Sequence, residues 1–111
     1  MKKIVCITAC PTGIAHTYMA AEMLENAGKS LGVSIQCETH GAIGIENKLS
    51  EKDITESIGV IIASDIRVDK KRFHGKPLIE VSIQKGIQEA SKLIQTMLDG
   101  HVKIYMHKEE F

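Results

Sequence analysis

The chain has 111 residues, which is the length of one ordinary domain and excludes a multidomain enzyme. Hydrophobic residues make up 43% and charged residues 25%, close to the globular average, so the composition excludes a disordered or fibrous protein. Fourteen basic residues balance fourteen acidic ones, and we therefore expect no nucleic-acid partner. No apolar stretch reaches the about 18 residues that span a bilayer, which predicts a cytoplasmic protein.

The first half of the chain predicts a strand, a helix and a strand in that order. Residues 4–9 form a continuous apolar and β-branched run, typical of a strand that is buried on both faces. Apolar residues then recur at helical spacing over residues 14–31, and Gly32 ends this predicted helix. Residues 33–39 alternate between apolar and polar, which predicts a less buried second strand before a loop at Gly41 and Gly44.

The second half repeats the alternation of helix and strand. Ser50 and Asp53 have the spacing of a capping pair, which predicts a short helix that runs to about Ile58. Residues 59–64 and residues 78–81 are short apolar runs, predicted as the third and fourth strands. One apolar helical stripe over residues 83–98, stopped by Gly100, predicts a single final helix.

Strands that alternate with helices indicate an α/β fold. We predict a four-stranded parallel sheet in the order 2-1-3-4 with helices on both faces, a Rossmann-like arrangement, because right-handed crossovers cover the strands from each side. Residues 1–100 would form this domain. Residues 101–111 alternate weakly between apolar and polar, which suits either an extra strand or a frayed C-terminal tail, and we expect the tail.

The loop after the first strand carries the candidate chemistry. In an open α/β sheet, ligands bind beyond the carboxyl ends of the strands where the strand order reverses, here between strands one and three. The helix dipole and the free amides of a helix start can surround an anion there, and the same field favours a nucleophilic thiolate at Cys10. We therefore predict a phosphate-binding loop with Cys10 as the group that carries or attacks phosphate. It consists of Cys10, Pro11, Thr12, Gly13, Ile14, Ala15, His16 and Thr17.

Several polar residues in or near this loop have two alternative roles each. His16 either donates a hydrogen bond to bound phosphate or caps the helix start. The hydroxyls of Thr12 and Thr17 either donate a hydrogen bond to phosphate or cap the local backbone. We favour Thr12 as the donor to phosphate, because it is nearer the turn of the loop. His40, Asp65 and Arg67 follow strands two and three, so they either border the site or are surface loop residues with no chemical role.

The remaining cysteines, histidines and basic residues suggest no further chemistry. Cys6 and Cys37 fall in the middle of predicted strands, where we expect them to fill the core. The five histidines and three cysteines show no metal-ligand spacing, so we predict no metal site and no cofactor. Four basic residues form a local cluster that is either a solvated face or a surface that attracts an acidic partner. They are Arg67, Lys70, Lys71 and Arg72.

The sequence CPTGIAHTYMAAE at residues 10–22 resembles the active-site segment of the fructose-specific enzyme IIB domain of the bacterial phosphoenolpyruvate-dependent sugar phosphotransferase system. The resemblance extends over about residues 2–98. It includes residues 38–41, 44–49, 53–54 and 72–77. Two parts depart from the family: His40 stands where the family usually has Gln, and residues 101–111 match no family pattern.

This resemblance implies a function and its partners. In that family the cysteine that matches Cys10 accepts a phosphoryl group from a histidine of the IIA domain. It then passes the group to a sugar, here fructose or a related one, that is held by the membrane IIC domain. The resemblance thus implies a protein-phosphocysteine sugar phosphotransferase that meets the inner face of the membrane through IIC.

Two alternatives belong to other functional classes. A low-molecular-weight cysteine phosphatase would have Arg six positions after its cysteine, where this chain has His16, although Asp65 is a conceivable general acid. A non-enzymatic flavodoxin-like binding module would need no cysteine at this loop. No G-x-G-x-x-G motif follows the first strand, which disfavours a dinucleotide site.

Overall fold

The computed structural model describes residues 1–11 and 15–108, and its strands form a single mixed sheet. The strands are β1 (Lys3–Ala9), β2 (Ser34–Gly41), β3 (Gly44–Glu46), β4 (Gly59–Ser64) and β5 (Leu78–Val81). They lie in the order β3-β2-β1-β4-β5. β2, β1, β4 and β5 pair in parallel, whereas β3 pairs antiparallel with β2.

The predicted four-stranded, all-parallel sheet is therefore wrong in one respect. The four predicted strands have the predicted order relative to one another, but β3 adds a fifth, antiparallel strand at the edge. This strand is only 3 residues long, too short to show a periodic pattern. Gly41 and Gly44 are typical of a loop, so the sequence predicts a loop there. Gly44 turns the chain at a φ of 104°, and the Tyr18 hydroxyl donates a hydrogen bond to the Glu46 carboxylate at the end of β3.

Helices cover both faces of the sheet. They are α1 (Ala15–Leu31), α2 (Glu51–Glu56), α3 (Ile83–Gln88) and α4 (Ala90–Leu98). α1, α3 and α4 pack on the face that holds Ile4 and Cys6, and α2 packs on the face that holds Val5 and Ile7. A 3₁₀ turn, Lys71–Phe73, inserts the buried Phe73 ring into this second core. Both faces of β1 are thus buried, as its continuous apolar sequence predicts.

The final helix differs from the expectation of one continuous element. α3 ends at Gln88 and α4 begins at Ala90, because Glu89 between them has a φ of −123°, outside the helical region. The apolar stripe continues across this break, since Ile83, Leu93 and Ile94 are all buried. Periodicity therefore reports the buried face but does not reveal the interruption.

The C-terminal segment is not frayed over its described residues. Residues 103–105 pair antiparallel with residues 75–78, which lead into β5 and include its first residue. Leu78 N donates to the Lys103 carbonyl at 3.1 Å, and Tyr105 N donates to the Lys76 carbonyl at 2.9 Å. The expectation of a frayed tail is thus wrong for residues 101–108. An open strand edge has unpaired backbone groups, and this segment satisfies part of the β5 edge.

Candidate active site at the carboxyl edge of the sheet

The carboxyl ends of three parallel strands meet beside Cys10. Ala9, the last residue of β1, is the register partner of both His40 in β2 and Ser64 in β4. The backbone N–H of Asp65 donates to the Ala9 carbonyl at 3.2 Å, which holds the loop after β4 against the end of β1. Cys10 is partly exposed at this convergence. The predicted switch point between the first and third predicted strands is therefore where Cys10 lies.

The first turn of α1, which follows the loop from Cys10, is tied to the end of β1. Pro11 is exposed, and so are Ala15 and His16 in the first turn of α1. Thr17 is fully buried, and its carbonyl accepts a hydrogen bond of 2.9 Å from the Thr8 hydroxyl, which ties the first turn of α1 to the end of β1.

Three residues of the predicted phosphate loop, Thr12, Gly13 and Ile14, lie outside the described residues. The contacts predicted between this loop and phosphate stay predictions. Whether His16 and Thr17 contact phosphate or cap the local backbone also stays open.

Glu38 is a buried carboxylate that sequence reasoning missed as a functional candidate. Its side chain is 0% exposed, although it lies only two residues before His40 at the same end of β2. The His40 Nε2 lies 2.6 Å from the carboxylate, the Arg72 guanidinium donates to it, and the Leu49 backbone N–H donates at 2.9 Å. One carboxylate thus links β2, the segment before α2 and the 3₁₀ turn.

These contacts keep Glu38 ionised. Burial raises the pKa of a carboxyl group, but the hydrogen bonds from Arg72, His40 and Leu49 outweigh it and the pKa of Glu38 is lowered. Because the ionised Glu38 carboxylate can only accept, the His40 Nε2 carries the proton of this hydrogen bond. The His40 Nδ1 makes no hydrogen bond with the residues that the structure describes. The His40 side chain is 21% exposed, so its ring reaches solvent at the edge that holds Cys10. The register places His40 opposite Ala9, the residue before Cys10, and its role as a border of the site stays a prediction.

Asp65 and Arg67 lie close to the site but differ in what they contact. The Asp65 carboxylate accepts a hydrogen bond of 3.1 Å from the backbone N–H of Ile83 at the start of α3. This contact is a helix-capping interaction, so the structure gives Asp65 a structural role at the site. Arg67 is exposed, and its side chain makes no ion pair with any residue that the structure describes.

The basic cluster is divided by the fold. Arg72 is held by Glu38, and Lys70 pairs with Glu80 at 2.9 Å. Arg72 therefore contacts a buried carboxylate, whereas the pair of Lys70 with Glu80 is exposed to solvent. No local sequence pattern indicates the contact between Arg72 and Glu38, because 34 residues separate the two partners.

Within residues 1–11 and 15–108, no group of three His, Cys, Asp or Glu side chains has metal-ligand geometry. Cys6 and Cys37 are buried register partners in β1 and β2, and a hydrogen bond that the Cys6 thiol donates to Cys37, together with burial, raises the pKa of Cys6. They fill the core, as predicted. No helix among the described residues has the length and hydropathy needed to cross a membrane.

The fold and site define an α/β domain with a cysteine at the topological switch point of its sheet. Residues 5–96 match the family described as PTS system, Lactose/Cellobiose specific IIB subunit. The chain is 42% identical over 103 residues to the PTS system fructose-like EIIB component 2 of Escherichia coli (strain K12), covering 92% of this chain and 96% of that protein. The chain therefore belongs to the IIB family of the phosphotransferase system and is of the fructose-like type.

Two further comparisons agree with this assignment. The chain is 43% identical to part of the PTS system fructose-specific EIIABC component of Bacillus subtilis (strain 168), covering 93% of this chain but only 16% of that protein. A crystal structure of a domain from the fructose-specific IIABC component of Borrelia burgdorferi has a TM-score of 0.89 and 44% identity. That alignment covers 94% of this chain and 98% of the other.

Proposed function

We propose that this chain is a phosphoryl relay in which Cys10 accepts a phosphoryl group from a IIA-domain histidine and passes it to a sugar. The observation that carries the proposal is the position of Cys10, partly exposed where the carboxyl ends of β1, β2 and β4 converge. Ligands of open α/β sheets bind at this position. The EIIABC name of one relative supports IIA and IIC partners, and the fructose-like names support fructose or a related sugar held by IIC.

The first chemical step is a thiolate displacement. The Cys10 sulfur attacks phosphorus, a P–S bond forms, and the P–N bond to the donor imidazole breaks as that imidazole leaves. In the second step a sugar hydroxyl attacks the same phosphorus, the P–S bond breaks, and the thiolate returns. The leaving imidazole takes up one proton from solvent, and the sugar hydroxyl releases one proton to solvent, so charge and atoms balance over the two steps.

The surrounding residues have proposed roles in this relay. Residues 11–17, from Pro11 to Thr17, form the loop that holds the phosphoryl oxygens with backbone amides and the start of α1, with Thr12 as a hydroxyl donor. His40, fixed through Nε2 by Glu38, borders the phosphoryl group. Because His16 stands where a low-molecular-weight phosphatase has Arg, the loop lacks the planar fork that promotes hydrolysis, and phosphocysteine persists until the sugar arrives.

The relay is tested by its final product. The general phosphotransferase proteins, phosphoenolpyruvate, a fructose-type IIA domain and vesicles that contain a fructose-type IIC domain are combined with the chain, and sugar phosphate is measured. We expect sugar phosphate with the parent and with Cys37→Ala, which removes a core thiol, but none with Cys10→Ser. Release of inorganic phosphate from aryl phosphates by the chain alone, at a rate that exceeds relay turnover, would instead support a phosphatase.

A further inference from the structure

A cleft of about 710 Å³ lies between the loop after β4 and the C-terminal segment. Four cationic side chains line it, together with one carboxylate, Asp69, and His107. The cations are Arg67, Lys70, Lys71 and Lys108. Residues far apart in sequence therefore form one basic surface, to which the C-terminal segment contributes a wall.

Both walls of this cationic cleft are anchored to the folded domain. The buried Val68 packs in the same core as Phe73, which fixes the loop after β4. Tyr105 packs against that core from the C-terminal segment, and its carbonyl accepts a hydrogen bond of 2.8 Å from Gly75 N. The His107 backbone N–H donates to His74 Nδ1 at 2.9 Å. The cleft is thus formed before any partner binds.

Among residues 1–11 and 15–108, the cleft has more positive than negative side chains. Lys70 pairs with Glu80, and the Asp69 carboxylate accepts a hydrogen bond of 2.9 Å from the Lys71 backbone N–H. Among the described residues, the side chains of Lys71 and Lys108, like that of Arg67, make no ion pair. The whole chain has a formal net charge of zero, so this cleft is a local exception.

One end of the cationic cleft, at Arg67, lies on the loop that follows β4 at the edge of the sheet that holds Cys10. Asp65 N donates to the Ala9 carbonyl, next to Cys10 in the chain, and Arg67 follows Asp65 by two residues on the same loop. A protein that is seated on the cleft and extends past its Arg67 end therefore reaches the surface that borders Cys10.

We propose that the cationic cleft is the docking surface for an acidic segment of the protein that donates the phosphoryl group to Cys10. The inference rests on the proposed relay and adds the surface by which its donor is recognised. Local positive charge steers an acidic partner toward the site and orients it, even when the net charge of the chain is zero. A nucleic acid fits less well, because its binding proteins carry a basic excess over the whole domain.

The docking surface is tested by charge reversal with a matched control. The double variant Lys71→Glu and Lys108→Glu is compared with Lys29→Glu and Lys92→Glu, which changes the net charge equally at exposed positions outside the cleft. With phosphorylated IIA domain as donor at low salt, we expect kcat/KM to fall about tenfold or more in the cleft variant and kcat to change little. We also expect a weaker dependence of kcat/KM on salt, whereas the control keeps the parent values.

A binding measurement separates failure of the docking surface from failure of the relay. Calorimetric titration of the Cys10→Ser protein with unphosphorylated IIA domain reports docking without chemistry. If the Cys10→Ser protein binds the IIA domain and loses this binding when Lys71→Glu and Lys108→Glu are added, the docking surface is supported. That result stands even if the parent is never phosphorylated, an outcome that refutes only the relay. Equal binding by the cleft variant and its control overturns the docking surface. Tighter binding of a DNA duplex than of the IIA domain, lost only in the cleft variant, also overturns it.

Discussion

Replacing Glu38 by Gln tests whether the buried carboxylate organises the border of the Cys10 site. The substitution keeps the size of the side chain and one carbonyl oxygen that accepts from Leu49 N. It removes the negative charge and places an amide N–H₂ against donors from Arg72 and His40. The guanidinium of Arg72 then has no negative partner in the buried cluster, and the N–H groups of Arg72 and His40 face the N–H₂ of the new amide.

The cost follows from the burial of the pair. Removing one partner of a buried ion pair costs about 3 to 5 kcal/mol, because the other charge stays desolvated. The Arg72 side chain is 29% exposed and regains some hydration, so we expect the lower end, about 3 kcal/mol. Glu80→Gln is the matched control, since its pair with Lys70 is 42% and 29% exposed on the two side chains and is worth about 0 to 1 kcal/mol.

Urea unfolding followed by far-ultraviolet circular dichroism measures both free energies, because a single small domain unfolds in one transition. The difference between parent and Glu38→Gln has a defined pH dependence. The pKa of Glu38 is lowered in the folded state, so its contribution is complete above the ordinary value of 4.5 and is lost as the pH falls through the lowered value. The two proteins therefore converge in acid.

A loss of less than about 1 kcal/mol at neutral pH, equal to that of Glu80→Gln, would refute this account of Glu38. A difference that stays constant as the solution is acidified would refute the assignment of the effect to the ionised carboxylate.

Two further substitutions test the packing and electrostatics that support the site. In Gly86→Ala the new Cβ would lie 2.5 Å from the Ala63 Cβ near the end of β4, and we expect a loss of about 1 to 3 kcal/mol in urea unfolding. Gln88→Ala, exposed on the same helix, is expected within about 0.5 kcal/mol of the parent, and similar stability of the two variants would contradict the close approach. The pKa of Asp53 is lowered from 3.8 to about 2, chiefly by its hydrogen bond from Lys3. This contribution is complete above pH 3.8 and is lost as the pH falls toward 2, so the parent should lose stability in that range more steeply than Asp53→Asn; parallel acid titrations would contradict it.

The sequence predicts those parts of the fold that depend on neighbouring residues in the chain. The apolar runs predict β4 and β5 with the bounds that the structure has, and the Ser50 and Asp53 spacing predicts the observed capping box of α2. The end of β1 places Cys10 at the switch point, because strand order follows from the right-handed connections of a parallel sheet.

The parts that were missed depend on contacts between distant segments. Glu38 falls at a polar position of an alternating strand, which favours exposure. Arg72, within the 3₁₀ turn, donates a hydrogen bond to its carboxylate and makes burial possible. β3 is set by a short turn that periodicity cannot detect. The C-terminal segment is held by backbone hydrogen bonds to residues 75–78 at the start of β5, and these depend little on its side chains.

The central claim is that Cys10 carries the phosphoryl group, and intact-mass spectrometry tests it most directly. The parent and Cys10→Ser are each incubated with phosphoenolpyruvate, the general phosphotransferase proteins and a fructose-type IIA domain that is shown to be phosphorylated in the same mixture. The account predicts one added phosphoryl group on the parent and none on Cys10→Ser. No added mass on the parent, or an equal gain on Cys10→Ser, would contradict it.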